Sequence, residues 1–462
     1  MKEFGGGQMR LGVDDELNSY ARFLDRLQIA DAAWRSFRQQ QTELGGRVTV
    51  DDKAELKSKL KALEDELNRY LAGDYGVKAG DKAAYAKWVK SHQPFHWFVE
   101  FYGIVSNGGF DVIIGNPPYV EKRTVESQYR LTSYETETTN NLYAYCSERA
   151  FDLLIRNGRF GFIVPLSSLS TDKFEPLQKL VLGLGSVWLS NFDDRPSRLF
   201  DGLEHIQLTI ILTAKTGGAP ALPFTTTCRK WSSVERPHLF ATLRYAQLHR
   251  SYLQGSVAKA GGDIEVEILD KLWAKKTTLT NWTRDTGKFR IFYTRKVHAF
   301  LNILDFVPKI YDGRGKLRDP SEQKTLEFDS KQLSESALCA LNSTLFRWFL
   351  STFSDCRNLN RREVLSLPIE LLQVVEKEGT QVAKLAKSLS ENLQRTSETR
   401  KMKFKDDVLK VQCIIPRFSK PILDEIDRVL ARHYGFTAEE LDFIINYDIK
   451  YRLGRDTESD AE

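Results

Sequence analysis

The sequence predicts an α/β protein in four stretches: a helical segment (residues 1–100), a partial sheet (101–215), an α+β region (216–370) and C-terminal helices (371–462). Three observations carry this. Apolar β-branched runs alternate with helical patterns between residues 110 and 215, leucines recur at helical spacing in the first hundred residues, and amphipathic patterns return after residue 371. The 462-residue length suits two to three domains, and 41% hydrophobic against 28% charged residues supplies a sizeable core.

Taken in order, Leu17, Tyr20, Leu24, Leu27 and Trp34 form one helical stripe and Leu56, Leu60, Leu63, Leu67 and Leu71 another, with Gly45-Gly46 as the turn between them. A second turn signal, Gly73 to Gly80, ends this hairpin. The aromatic stretch from His92 to Phe101 follows. His92, His96 and Glu100 have the spacing of metal ligands on a helix, but Pro94 interrupts that helix and the aromatic neighbours favour packing.

Phe110-Asp111-Val112-Ile113-Ile114 reads as a strand of the kind buried on both faces, and Gly115 frees the chain to turn into Asn116-Pro117-Pro118-Tyr119. A polar stretch, 121 to 141, precedes a helix expected from Leu142 to Arg156 and closed by Asn157-Gly158. Then come a strand at Phe160 to Val164, a helix from about Lys173 to Leu182, and strands at Val187 to Phe192 and Ile206 to Thr213.

Asn116 to Tyr119 are the candidate catalytic residues, for a chemical reason. An exocyclic amine is a poor nucleophile because its lone pair is delocalised into the ring. Two acceptors placed against its N–H groups draw the nitrogen towards tetrahedral geometry. The side-chain oxygen of Asn116 and the carbonyl of Pro117 form such a pair, stiffened by fixed proline φ angles. Tyr119 then offers an aromatic face to a base rotated out of its duplex.

This segment resembles motif IV of the S-adenosylmethionine-dependent amino-methyltransferases, and its context is similar to the adenine-specific (N6) DNA methyltransferases of the type II and type IIG restriction-modification group. The resemblance implies the later half of a class I methyltransferase (Rossmann-like) sheet, S-adenosylmethionine as cofactor and double-stranded DNA as substrate. Asn141-Leu142-Tyr143 and Gly158 to Pro165 also resemble family segments, so Asp111 and Asn141 become cofactor-side candidates. Phe192 through Phe200 resembles the loop where the family places a second aromatic near the flipped base, which makes Phe200 a candidate; a core aromatic is the alternative.

The cofactor half is missing from this pattern. No strand opening into Gly-x-Gly precedes Asp111, and Gly5-Gly6-Gly7 has no strand before it. Gly183-Leu184-Gly185 would serve a permuted arrangement, yet a strand pattern follows it instead of a helix. The expectation is that a further segment or a complementing methyltransferase subunit supplies the first strands, that the 110–114 strand exposes a hydrophobic edge, and that this chain alone binds S-adenosylmethionine weakly or not at all.

DNA recognition is expected in the distal half. Between Asn281 and Pro320, Arg295, Lys296 and other cations interleave with Trp282, Phe289, Phe292 and Tyr293. A solvated charged face is the alternative. Leu341 to Phe349 and Asp355 to Asn360 are similar to target-recognition segments, and Arg357, Arg361 and Arg362 carry forks that fit phosphate or guanine. Helices are expected from about Leu371 to Lys403 and from Pro421 to Arg432, with Thr437 and Glu440 as a capping box on a last helix and a loose acidic tail from Asp456.

Composition adds limits. Lys+Arg 67 against Asp+Glu 62 gives +5, too mild to demonstrate nucleic-acid binding by itself. Five cysteines without CxxC spacing read as reduced thiols of a cytoplasmic protein with no zinc site, and the absence of a long apolar run argues against a membrane partner. A DNA-binding specificity fragment without activity, and a glutamine or ribosomal RNA amino-methyltransferase, remain the competing readings.

Overall fold

The computed structural model describes residues 27–29, 31–35, 39, 49–78, 80–217, 221–320, 322–404 and 407–453. Leu17, Tyr20, Leu24, Gly5 to Gly7, Gly45-Gly46 and the acidic tail lie outside the described residues. The chain divides into two compact units, residues 1–161 with 214–217, and residues 162–213 with 218–462. Among the described residues no helix is long and apolar enough to cross a membrane.

In the first unit, helix α1 (Val50–Asp74) starts at a capping box in which Asp52 N donates to Thr49 Oγ1 and Thr49 N donates to the Asp52 carboxylate. Its predicted stripe is the inward one: Leu63 and Leu67 pack with Val99 and Tyr102, and Leu27, Trp34, Leu60 and Phe98 lie against them. Helix α2 (Lys82–His92) is capped by Asp81. Both histidines are engaged by neighbouring side chains. His92 stacks on Trp88 at 5.3 Å, and His96 Nε2 meets Asn68 Oδ1 at 2.8 Å. No cluster of metal-ligating groups occurs among the described residues.

Strand β1 (Phe110–Gly115) follows Gly109, whose φ of +121° favours glycine and where a Cβ would lie 2.2 Å from the Leu153 carbonyl oxygen. Helix α3 (Leu142–Leu153) then stops three residues earlier than its pattern predicts, and β2 (Leu154–Pro165) begins at once. Lys215 Nζ donates to the carbonyls of Phe151 and Leu154, both at 2.8 Å, which gives this abrupt helix end its partners. Asn157, at φ +66°, sits inside β2 and not at a helix terminus.

Within the first unit β1 neighbours β2; within the second the order runs β2, β4 (Leu208–Lys215), β3 (Gly185–Phe192), β5 (Phe224–Arg229), β6 (Ala246–Gln247). Helix α4 (Glu175–Gly183) precedes β3, so Gly185 opens a strand and no glycine turn faces a helix there. Asn191 pins the middle of this sheet: its amide group donates to the Thr226 carbonyl at 2.8 Å and its oxygen accepts from Thr209 Oγ1 at 3.0 Å. Strands β5 and β6 extend the sheet past residue 215, which the alternating pattern did not foretell.

Beyond the sheet lie helix α5 (Asp263–Trp273), a three-stranded sheet of β11 (Lys324–Phe328), β7 (Phe289–Tyr293) and β8 (Ile303–Leu304), and helices α6 (Lys331–Asn342) and α7 (Thr344–Phe353). Every residue of α7 is buried, including the polar side chains of Thr344, Arg347, Ser351 and Thr352, and Arg347 donates to Ser351 Oγ within the helix. Asp427 accepts from the N–H groups of Thr344 and Leu345 at the start of α7, and burial pushes its carboxyl up to about 6. Trp348 Nε1 donates to Glu265 at 3.1 Å, and burial raises that carboxyl to about 7.

The long C-terminal helix, α8 (Leu371–Arg395), ends before Lys403. In place of its expected last turns, β12 (Glu398–Phe404) and β13 (Asp407–Cys413) form a hairpin, joined by β9 (Ile310–Tyr311) and β10 (Leu317–Arg318) in a four-stranded sheet. Helices α9 (Lys420–Tyr434) and α10 (Ala438–Asn446), the latter with the Thr437 and Glu440 box in place, and a short helix at Ile449–Leu453 follow.

Candidate catalytic loop and nucleic-acid interface

The catalytic candidates sit where β1 ends. Gly115, Asn116 and Pro118 are exposed, Pro117 is buried and Tyr119 is half-buried. Among the described residues the Asn116 side chain and the Pro117 carbonyl have no hydrogen-bond partner. Tyr119 meets Tyr143 edge-on, with ring centroids 6.2 Å apart, and burial pushes its phenol up to about 12, so it stays neutral.

The loop is held behind these residues. Leu142 N donates to the Val120 carbonyl and Lys122 N to that of Asn140, both at 2.9 Å, with a bridge between Glu121 and Asn141. Asn141 is thereby brought beside the segment that leaves Tyr119, its Nδ2 donating to the Thr139 carbonyl at 3.2 Å. The buried Glu148 carboxylate takes the N–H groups of Glu135 and Thr136, both at 2.9 Å, and fixes the loop floor. Asp111 is exposed on β1.

The expectation of a strand buried on both faces fails at β1. Val112 is 56% and Ile114 76% exposed, since β1 stands at the end of the strand order. Phe95 and Phe101 are exposed in the same unit, and Phe101 lies 5.3 Å from Phe110, so apolar surface continues from the strand's start.

In the second unit, Phe200 is exposed on the loop after β3. Arg236 donates to the carbonyl of the adjacent Leu199 at 2.9 Å, and Gln207 to Asp194 at 2.9 Å, which tie this loop down. Burial raises the neighbouring Asp193 carboxyl to about 6, while Lys230 opposes the shift.

Arg295, Lys296 and Arg357 are brought together. Leu359 N donates to the Arg295 carbonyl at 2.7 Å, Lys296 bridges Asn358, and the Asp355 carboxylate takes the N–H groups of Arg357 and Asn358 at 3.0 Å each. All three cationic side chains are exposed. Arg361 is exposed too, with one contact to the Thr325 carbonyl at 3.5 Å.

Arg362 is a correction. Its guanidinium is occupied by the Ser170 carbonyl at 2.7 Å, Ser256 Oγ at 2.8 Å, the Gly255 carbonyl at 3.3 Å and the Glu363 carboxylate at 2.9 Å, so it joins distant segments and presents no fork to a duplex. The aromatic part of the 281–320 expectation turns inward likewise: Tyr293 is buried, and Trp282 Nε1 donates to the Ile369 carbonyl. Arg284 and Arg290 pair with Asp329 and Glu327. Leu341 to Phe349 is core instead of recognition surface. What the sequence reading missed is the β12–β13 hairpin, although Arg400, Met402 and Phe404 alternating with Lys401 and Lys403 carry the period of a strand.

Residues 29–186 match the family of Eco57I restriction-modification methylases. A relative in Methanocaldococcus jannaschii, named as a type II restriction enzyme and methyltransferase, is 34% identical over 90 residues, which is 19% of this chain and 7% of the relative. The chain therefore matches only a small part of that protein's length. Among solved structures, the type IIL restriction-modification enzyme MmeI in complex with DNA is 11% identical, with 85% of this chain and 63% of that one covered at a TM-score of 0.38. The DrdV–DNA complex is 12% identical, covering 43% of this chain and 23% of that chain at a TM-score of 0.27.

Proposed function

Because residues 29–186 match the family of Eco57I restriction-modification methylases, we propose that the chain methylates the N6 amine of adenine in double-stranded DNA, with a complementing methyltransferase segment. The observation that supports this reading is that Asn116 Oδ1 and the Pro117 carbonyl, at the mouth of β1, have no hydrogen-bond partner among the described residues. The two acceptors receive the amine's two N–H groups and aim its lone pair. Orientation does most of the work, so no side chain need remove a proton before transfer. Tyr119, kept neutral, gives the extruded base a face to stack on. Arg295, Lys296, Arg357 and Arg361 hold the duplex through its phosphates, and Phe200 lies on a fixed loop as the second aromatic.

S-adenosylmethionine is the methyl donor that this chemistry requires, and the described residues do not fit it by themselves. β1 stands at the end of its strand order, and among the described residues no strand on its free edge brings a glycine turn. The exposed Val112 and Ile114 give the complementing segment an apolar strand to cover, whether it belongs to the same polypeptide or to another.

The test is methyl transfer by the assembled enzyme. Asn116→Ala is expected to lower kcat by about 100- to 1000-fold, the scale for removing one preorganised hydrogen-bonding group. Unchanged adenine methylation would overturn the proposal, and so would transfer to a glutamine-bearing protein or ribosomal RNA in preference to DNA. Tight one-to-one binding of S-adenosylmethionine by this chain alone, read by titration calorimetry, would overturn the need for a complementing segment.

A further inference from the structure

The β12–β13 hairpin carries charge that its own folding does not use. The pairing sets Lys401 opposite Lys410 and Lys403 opposite Val408, and opposite residues share a face of the sheet. Strand β9 continues that face with Tyr311, the partner of Lys410, and β10 with Leu317, the partner of Tyr311. No carboxylate stands among these paired positions. Lys401, Lys403 and Lys410 are exposed, and among the described residues none of them has an ion-pair partner. Two like charges directly opposite destabilise a strand pair, so this arrangement costs the fold something that an anionic ligand would recover. The reverse face differs: there Arg400 pairs with Glu398 at 3.1 Å and Met402 and Phe404 are the neighbours.

We propose that the lysine face of the β12–β13 hairpin binds the phosphate backbone of duplex DNA. Residues two apart on a strand are about 7 Å apart and neighbouring strands lie about 5 Å apart, so the three ammonium groups form a small two-dimensional array and not a single point charge. DNA presents one negative charge about every 3.4 Å along each strand, which such an array meets without reading bases. Lysine ammonium groups suit this role, being point charges with rotatable donors and no fixed fork for a base edge. The contact is sequence-independent. It rests on the reading of this chain as a DNA-modifying protein.

The experiment measures binding of the full chain to a short labelled DNA duplex by fluorescence anisotropy across a salt series. The triple variant Lys401→Gln, Lys403→Gln, Lys410→Gln is compared with wild type and with the corresponding triple arginine variant, each checked for native folding by circular dichroism. If each lysine neutralises one phosphate, the slope of log K against log salt becomes shallower by about 2.7 in the glutamine variant, equally on unrelated duplex sequences, and is retained with arginine. An unchanged slope in a folded variant overturns the hairpin proposal and leaves the catalytic reading standing. No binding of wild type to any duplex overturns both. Loss of binding to polyglutamate with DNA binding intact assigns the face to an acidic protein and overturns the proposal as well.

Discussion

Two apolar runs of this chain meet opposite surroundings. Leu345 to Phe353 forms a helix in which every residue is buried, capped by Asp427 and tied to Glu265 through Trp348. Val112 to Ile114 forms a strand whose Ile114 is 76% exposed and whose pairing stops on one side. Both runs have the composition of an interior, since each β-branched or aromatic side chain gains about 1.5–3 kcal/mol on full burial. In the distal unit the chain covers its own apolar run. At β1 it does not, and the uncovered strand leads directly into the catalytic candidates. The contrast sets an uncovered apolar strand, next to the candidate loop, against a closed distal core.

The largest effect that tests this contrast is Phe346→Ala. Phe346 is fully buried, so the loss should be about 3–5 kcal/mol in urea unfolding followed by tryptophan fluorescence. A loss below about 1 kcal/mol would mean that the distal core is less closed than described.

Next is the pH dependence that Glu265 adds to the same core. Its folded value, about 7, lies above its unfolded value, so the folded state holds the extra proton between the two. The stability from this group is full below the unfolded value and is lost as pH rises through 7. The wild type should therefore lose about 3 kcal/mol relative to Glu265→Gln between pH 4 and pH 8, roughly 2.5 pH units' worth. His433, lowered to about 4 by burial, titrates in the opposite sense but equally in both proteins. Parallel stability curves would show that the carboxyl is solvated, against the closure of the core.

The smallest expected effect is the other half of the contrast. Ile114→Ala in this chain alone should change unfolding free energy by no more than about 0.5 kcal/mol, because an exposed side chain loses little on truncation. In the assembled enzyme, Ile114→Glu should weaken association measurably by analytical ultracentrifugation. A large destabilisation of the isolated chain by Ile114→Ala would break the comparison.

Local signals in the sequence were legible where periodicity and capping chemistry dominate. The leucine stripe at Leu63 and Leu67, the order from β1 to β4 and the Thr437 and Glu440 box all lie near their expected positions. What was not legible depended on long-range partners. The end of α3 at Leu153 rests on Lys215, sixty residues downstream, and the role of Arg362 rests on carbonyls at Ser170 and Gly255. Leu341 to Phe349 reads equally as core or recognition surface until its neighbours are known. The hairpin at 398–413 was hidden because α8 runs into it with helix-tolerant residues, lysine and methionine among them. The candidate acceptor pair could be named from sequence alone, since Asn116 and Pro117 are adjacent. The bare strand edge beside it was expected as well, from the missing cofactor half.

The tie between Val120–Lys122 and Asn140–Leu142 has a kinetic consequence. It turns the segment between them into a closed ring whose ordering entropy is settled during folding and not at each encounter with a target. Lesions far round that ring, at Thr136 or at the Glu148 carboxylate that holds it from α3, would then reach the reacting amine as slackened aim: turnover would fall while substrate affinity held.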